Sequence, residues 1–223
     1  LLRQFEGRPR WWAPIAYEED FSTLADVRWI TVGGFSDLDA VPEGDPYTEK
    51  TWDDHAETSA FQKRGNYIGL TLEMIDRDDV AAVRAIPRRL GHAAYRTLSA
   101  AVAGLFTVES GTGPLLADGQ RLFSEAHGNL GSSALGVEPW QATVAAMFKQ
   151  QEFHSGKRLG VRPRYCLVPI DLEKAALEVF TSDVVPVDGA FYRNVLQRSS
   201  DSVVVVPDWT DATDWAAVAD PAE

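Results

Sequence analysis

Residues 78–107 read DDVAAVRAIPRRLGHAAYRTLSAAVAGLFT, the longest periodic segment of the chain. Apolar side chains recur in it at steps of three and four residues, which predicts an α-helix with a continuous apolar stripe. Asp78 and Asp79 supply an N-cap and favourable negative charge in the first turn. Pro87 either kinks this helix or restarts it. About 30 residues at roughly 1.5 Å each give a helix on the order of 45 Å long. This is long for a domain of this size and indicates a helix that spans the whole domain. The stripe comprises Val83, Ile86, Leu90, Ala94, Leu98, Ala101 and Leu105.

The residues before this helix are poor in core-forming patterns. Residues 1–27 contain Trp11 and Trp12 between two prolines, without a sustained period, which predicts an extended arm. Exposed tryptophans are typical of interfaces, and the alternative is that the arm folds back on its own domain. In residues 28–77, strand-like runs are joined across a polar stretch, and this pattern predicts a long, protruding hairpin with its flanking strands. The strands expected there are Val27–Val32, Tyr47–Trp52 and Asn66–Glu73, with a polar excursion over 53–58.

After Gly111, segments with helical periodicity alternate along the chain with short apolar runs, as in a compact α/β unit. Its apolar and β-branched runs predict strands, and its periodic segments predict helices. We expect helices over about 138–153 and 171–181, and strands over 164–169, 202–207 and 214–218.

Composition limits the class of protein. A chain of 223 residues with 45% hydrophobic residues has enough apolar material for a real core. No apolar run approaches the roughly 18 residues of a membrane span. Cys166 is the single cysteine, so an internal disulfide is excluded. The chain begins Leu1-Leu2-Arg3, without an initiator methionine or a signal-peptide core, and we expect a processed or truncated N-terminus.

The net charge of −12 is unevenly distributed. Residues 1–60 carry 5 basic and 13 acidic groups, a net charge of −8. Residues 61–165 carry 13 basic and 9 acidic groups, and residues 166–223 carry 3 and 11, so a middle of +4 separates two ends of −8. This balance is opposite to the basic footprint of nucleic-acid binders. Such asymmetry can steer copies of one chain together, although solvated surface charge is the commoner reason for it.

No motif indicates catalysis, a metal or a cofactor. The four histidines are isolated in sequence, and no His-x-x-x-His or Cys-x-x-Cys pattern occurs. Asp118, Ser124 and His127 supply the residue types of a hydrolase triad, but the tight Gly-x-Ser-x-Gly elbow is missing. We therefore expect a protein that is not an enzyme, without catalytic residues, metal or cofactor, and keep a Ser124/His127/Asp118 hydrolase as a minor alternative.

Five motifs agree in order and spacing with one known family. They are Phe61-Gln62-Lys63-Arg64-Gly65, Ile75-x-x-Asp78-Asp79, Ile86-Pro87-x-x-Leu90-Gly91, Asp118-Gly119-x-x-Leu122-Phe123-Ser124-x-x-His127-Gly128-Asn129 and Leu159-x-x-Arg162-Pro163-Arg164-Tyr165-x-Leu167-Val168-Pro169. In these the chain resembles the major head subunit of Mu-type tailed phages, from about residue 25 to Pro221. The family normally continues further beyond a strand such as 214–218, so we expect a lost C-terminus or a separate segment that completes a sheet.

The resemblance implies an α+β chain with the tailed-phage capsid fold, also called the Hong Kong 97 fold. Its parts would be an N-terminal arm (1–27), an extended hairpin loop (28–77), the spine helix of a peripheral domain (78–111), an axial domain (112–206) and a return to the peripheral domain (207–223). The implied function is that of a major capsid protein, which self-assembles through pentamers and hexamers into an icosahedral shell around phage DNA. It would occur in the virion, and in the host cytoplasm during assembly.

The resemblance also implies partners. Copies of the same chain come first, followed by a prohead protease, scaffold, portal and decoration proteins, with loose DNA contact and no membrane. We expect contacts between subunits at Trp11, Trp12, Trp29 and Trp52, and at the cations Arg84, Arg88, Arg89 and Arg96. The alternatives are an encapsulin-like shell of a cellular nanocompartment with the same fold and, less favoured, a decoration or tail protein.

Overall fold

The computed structural model describes residues 9–32, 38–49, 54–69, 71–76, 80–152, 155–187 and 190–221. Helices and strands are mixed, in agreement with the α+β class expected from the sequence. Among the described residues, no helix combines the length and the apolar character needed to cross a membrane. In chain order the elements are β1 (Val27–Val32), β2 (Asp54–Ser59), α1 (Leu72–Asp76), α2 (Val80–Gly111), α3 (Val137–Lys149), β3 (Pro163–Val168), α4 (Glu173–Thr181), β4 (Val184–Val187), β5 (Ala190–Arg193), β6 (Val203–Val205) and β7 (Ala216–Ala219).

A three-stranded mixed sheet lies at the centre, with β3 between β6 and β7. β3 runs parallel to β6, with Cys166 opposite Val203, and antiparallel to β7, with Cys166 opposite Ala217. Both faces of this sheet are covered, and this explains why β3 has a continuous apolar run instead of alternating polar residues. The strands expected over 164–169, 202–207 and 214–218 are confirmed.

Alternate side chains of β3 serve two separate clusters of the core. Cys166 and Val168 are fully buried on the side of α3 and α4, where Trp140 and Phe180 pack. Leu167 points to the other side, where it packs with Ala103 of α2 and with Trp209. The predicted helices over 138–153 and 171–181 are confirmed as α3 and α4, and they close the first side of the sheet.

The long helix α2 is confirmed, and Pro87 lies inside it. Its helical dihedral angles are broken only near its end, at Val108, Glu109 and Ser110. The chain then turns through Gly113, whose φ is +74° and whose place would put a Cβ 2.9 Å from the carbonyl oxygen of Leu105. Only glycine fits this turn, which starts the connection from α2 to α3.

The apolar stripe of α2 is largely uncovered. The helix buries the side that carries Ser99 and Ala103, while Leu98 is 41% exposed and Leu105 is 47% exposed. Ala94 and Ala101, which belong to the same stripe, are exposed as well. In the single chain this helix therefore presents partly exposed apolar side chains on a second side.

The predicted hairpin exists, but its second strand is a different one. β1 pairs with β2 in antiparallel register from Val27 opposite Ser59 to Val32 opposite Asp54. The strand expected at Asn66–Glu73 is wrong, because residues 66–69 have no regular structure and residues 72–76 form the short helix α1. Residues 47–49 of the strand expected at Tyr47–Trp52 are likewise irregular, and residues 50–52 lie outside the described part.

The hairpin of β4 and β5 was not among the elements expected from the sequence. The capping role of Asp78 and Asp79 concerns residues outside the described part. β7, in the segment assigned to a returning peripheral domain, pairs with β3 of the predicted axial domain. The division into five parts stays a prediction.

Candidate functional site

Residues 9–15 of the predicted arm are packed on the chain's own core. Trp12 is only 6% exposed, and its ring centroid lies 5.3 Å from that of Tyr95 on α2. Trp11 meets Trp12 edge to face at 5.8 Å and packs at the margin of the cluster around Leu167. Two indoles of this size bury a large apolar area, which is sufficient to hold a short segment against a helix.

Hydrogen bonds fix the same segment. The indole Nε1 of Trp11 donates to Ser99 Oγ at 2.8 Å, and the Ser99 hydroxyl donates in turn to Asp208. The hydroxyl of Tyr95 donates to the carbonyl oxygen of Pro9 at 2.8 Å. For residues 9–15 the structure thus shows the alternative in which the arm folds back. The ring of Trp12 is therefore covered by its own chain in this conformation, and its role as a contact between subunits stays a prediction.

The third expected anchor, Trp29, lies in an uncovered group of rings that we name the aromatic patch. Trp29 is 47% exposed, and Phe21 packs against it edge to face at 6.1 Å. Phe61 meets Phe21 at 5.4 Å. The sequence indicated Trp29 alone, because the other rings come from distant segments without a common period. Trp52 lies outside the described residues. The patch comprises Tyr17, Phe21, Trp29 and Phe61.

The expected cationic contacts lie on α2. Arg88, Arg89 and Arg96 are exposed, and none forms an ion pair with another described residue. The side chain of Arg84 lies outside the described part. The three arginines are therefore available to bind a partner. Their role in contacts between subunits remains a prediction.

The structure brings Asp118, Ser124 and His127 together, but in an arrangement that differs from a catalytic triad. Nε2 of His127 lies 2.8 Å from Asp118 Oδ2, and Nδ1 lies 3.2 Å from the carbonyl oxygen of Leu122. Ser124 Oγ accepts a hydrogen bond from the backbone N–H of His127 at 3.2 Å. Because both ring nitrogens face other acceptors, neither can take a proton from the serine hydroxyl. The geometry does not support the hydrolase alternative.

The same geometry explains the protonation of this loop. Both ring nitrogens of His127 face acceptors, and only the imidazolium form can donate to both at once. The hydrogen bond to Asp118 is the largest cause that raises the pKa of His127 above its ordinary value. The backbone N–H of Gln120, followed by His127, lowers the pKa of Asp118. The pair therefore stabilises the connection between α2 and α3.

The pH dependence of His127 follows from this shift. Its raised pKa contributes stability that is complete below the unfolded value of about 6.5 and is lost as pH rises through the folded value. In NMR titration of the unassembled chain, the His127 ring is expected to titrate above about pH 6.5, and Asp118→Asn should lower the midpoint. A midpoint at or below about 6.5 in the native chain would contradict this.

A backbone contact ties this connection to the hairpin. The N–H of Ala117 donates to Glu57 Oε1 on β2 at 2.8 Å, and His55 Nε2 lies 3.3 Å from the same oxygen. The polar residues of β2 thus position the base of the hairpin against the loop that follows α2.

Other candidates for chemistry are unreactive or absent in the described ranges. Burial raises the pKa of the Cys166 thiol to about 12, so almost no thiolate forms near neutral pH. Within those ranges, no three side chains among His, Cys, Asp and Glu are placed to hold a metal ion.

Comparison with known families decides the class of the protein. The sequence profile of the family described as phage capsid protein matches residues 56–223, most of the chain. The chain belongs to the phage capsid protein family. No curated protein and no solved structure matches this capsid protein. The matched region begins within β2 and contains α2 and the whole central sheet, whereas the arm and β1 precede it. Capsid proteins of this family are structural, which agrees with the lack of a triad geometry at His127.

Proposed function

We propose that this capsid protein is the major head subunit of a Mu-like tailed phage with the Hong Kong 97 fold. Copies would form pentamers and hexamers and assemble into an icosahedral shell around DNA. The observation that carries this proposal is the uncovered apolar stripe of α2, which lies within the family match. A contiguous apolar surface on a soluble chain is typical of contacts with other proteins.

The stripe supports assembly because its burial needs another chain. Leu98 and Leu105 are each more than two-fifths exposed on the longest helix of the described fold. Complete burial of an exposed leucine contributes about 1.5–3 kcal/mol, so covering the remaining exposed surface of each of these side chains contributes about 1 kcal/mol. A contact repeated around a capsomer and between capsomers adds such contributions over many copies, so a modest single interface suffices.

The hairpin supports the same function. Residues 38–49 between β1 and β2 are almost wholly exposed, with Leu38 at 95% and Tyr47 at 89% exposure. A loop with so little burial inside its own chain gains its packing when it lies on a neighbouring subunit. Its carboxylates fit the basic middle of the chain, in which residues 61–165 carry a net charge of +4.

The partners and location follow from this role. The subunit would occur in the virion, and in the host cytoplasm before assembly. A protease, scaffold, portal and decoration proteins would act on or bind the shell. The net charge of −12 indicates a shell that encloses DNA without gripping it.

Electron microscopy of the purified full chain tests this function. Closed particles with five- and six-subunit capsomers are expected. Particles isolated from producing cells should contain DNA, and enzyme cargo in its place would indicate the nanocompartment alternative. Failure to form any particle under all conditions would contradict the proposal.

Ionic strength should change the assembly threshold. Attraction between acidic and basic surfaces is screened beyond about 10 Å at 0.1 M salt. The threshold concentration for particle formation, measured by light scattering, is therefore expected to rise between low salt and about 0.5 M salt. A threshold that stays constant over this range would show that apolar burial drives assembly without help from charge, and would contradict the proposed attraction between acidic and basic surfaces.

A further inference from the structure

Two partly exposed surfaces of this chain carry complementary side chains, large rings beside carboxylates on one and small side chains beside an arginine on the other. One is the aromatic patch of Tyr17, Phe21, Trp29 and Phe61. The other, which we name the outer groove, runs along α2 beside Arg96. We propose that the aromatic patch of one copy, with Glu19 and Asp20 beside it, binds the outer groove of a second copy. The inference rests on the proposed function, because it identifies one contact through which copies would associate.

The aromatic patch combines exposed rings with available carboxylates. Tyr17 is 70% exposed, and Phe21 and Trp29 are each between two-fifths and one-half exposed. Glu18 pairs with Arg10 of its own chain. Glu19 and Asp20 are exposed and form no ion pair with any described residue. Rings next to such carboxylates are suited to a guanidinium group, which stacks on the rings and pairs with the acids.

The outer groove supplies small side chains where the patch supplies large ones. Its floor consists of alanine and glycine on successive turns of α2, and Leu105 and Val108 form its apolar end. Arg96 lines the groove, and Arg89 lies two turns earlier on the same side of the helix. Small residues allow planar rings to approach the helix closely, and the two arginines then lie within reach of Glu19 and Asp20. The residues of the floor are Ala93, Ala100, Ala101 and Gly104.

The position of the two surfaces indicates a second copy as the occupant. Phe61 belongs to the patch, while Gln62 and Arg64 border the groove. The patch and the groove thus flank one short segment, and both are uncovered in the described part of the same chain. Each copy therefore offers both halves of the contact, which allows the contact to be repeated between identical subunits. Opposite charge on the two halves also selects the correct orientation.

A charge-swap experiment on the full chain tests the pairing. Glu19→Arg together with Asp20→Arg places like charges at the contact and is expected to raise the threshold concentration for assembly at least about tenfold. Adding Arg89→Glu and Arg96→Glu should restore the threshold of the native chain. Light scattering and sedimentation velocity below about 0.1 M salt measure the threshold. All four residues are exposed, and circular dichroism verifies that each variant folds.

A matched control separates pairing from net charge. Arg158→Glu and Arg162→Glu make the same change in charge at exposed arginines outside the groove, so they should not rescue Glu19→Arg with Asp20→Arg. Equal rescue by this control, or native assembly of the variant with both acids reversed, would overturn the inference and leave the proposed function intact. A native chain that never assembles would overturn the proposed function, and the inference with it.

Discussion

Replacing Trp140 with alanine is expected to lower the free energy of unfolding by about 3–5 kcal/mol. Trp140 has no exposed surface, and its ring lies 4.7 Å from Phe180 and 6.0 Å from Trp215, measured between centroids. The side chain joins α3, α4 and the segment before β7, so its removal leaves a cavity lined by all three. Urea denaturation of the unassembled chain, followed by circular dichroism, measures the loss.

Two control variants sharpen this prediction. Trp140→Phe keeps a ring in place and removes an indole N–H that has no hydrogen-bond partner in the described part of the chain, so it should cost much less than alanine. Phe148→Ala, on the same helix at 39% exposure, should cost clearly less than Trp140→Ala, because its ring is only partly buried. Equal losses for Trp140→Ala and Phe148→Ala would contradict the assigned core.

Trp12→Ala is expected to lower the free energy of unfolding by about 3 kcal/mol, the lower end for a buried tryptophan. Trp12 is 6% exposed against Tyr95, and it holds residues 9–15 on α2. Loss of the indole should release this segment, so limited proteolysis of the unassembled chain should cleave near Pro14 much faster than in the native chain.

The control for Trp12 is Tyr17→Ala in the same arm. Tyr17 is 70% exposed, so its removal should leave stability within about 0.5 kcal/mol of the native value. The experiment also decides between two roles of the arm. If Trp12→Ala leaves the unassembled chain unchanged but abolishes assembly, the indole acts on a neighbouring subunit and the packing on α2 is not its function.

The sequence predicted the elements whose pattern is determined by burial within the chain. The run at 164–169 has no polar alternation because both faces of β3 are covered, and its continuous apolar character therefore identified a buried strand. The periodic segments of α2, α3 and α4 were found for the same reason. These elements compose the central sheet and the helices that cover it.

The sequence predictions were wrong where the local residue pattern does not reveal which segments pair as strands. β2 has the polar sequence DHAETS, yet it pairs along its whole length with β1. The backbone hydrogen bonds of an antiparallel pair form whether or not the side chains are buried, so the strand needs no apolar pattern. Residues 66–73 alternate like a strand, but residues 66–69 pair with no described strand, and Leu72–Asp76 contains good helix formers. The hairpin of β4 and β5 had a usable signal, since Asp188-Gly189 between apolar runs predicts a tight turn.

The candidate interface could be predicted only in part. Periodicity detected α2 and its stripe, but this helix has apolar residues on two sides, with Ala103 and Phe106 inward and Leu98 and Leu105 outward. Which side faces the sheet depends on the shape of its partners, and that information is not local. The aromatic patch depends in the same way on segments near residues 21, 29 and 61 meeting in space. The positions of the arginines were visible in the sequence, but their lack of partners among the described residues required the structure.

In the proposed function, this chain associates with copies of itself through surfaces that a single chain leaves exposed. Sedimentation velocity of the purified full chain, over a range of concentrations at low and high salt, tests it most directly. We expect a concentration-dependent transition from free subunits to closed particles of many subunits, with the threshold at its lowest in low salt. A compact monomer at every concentration and salt would contradict it.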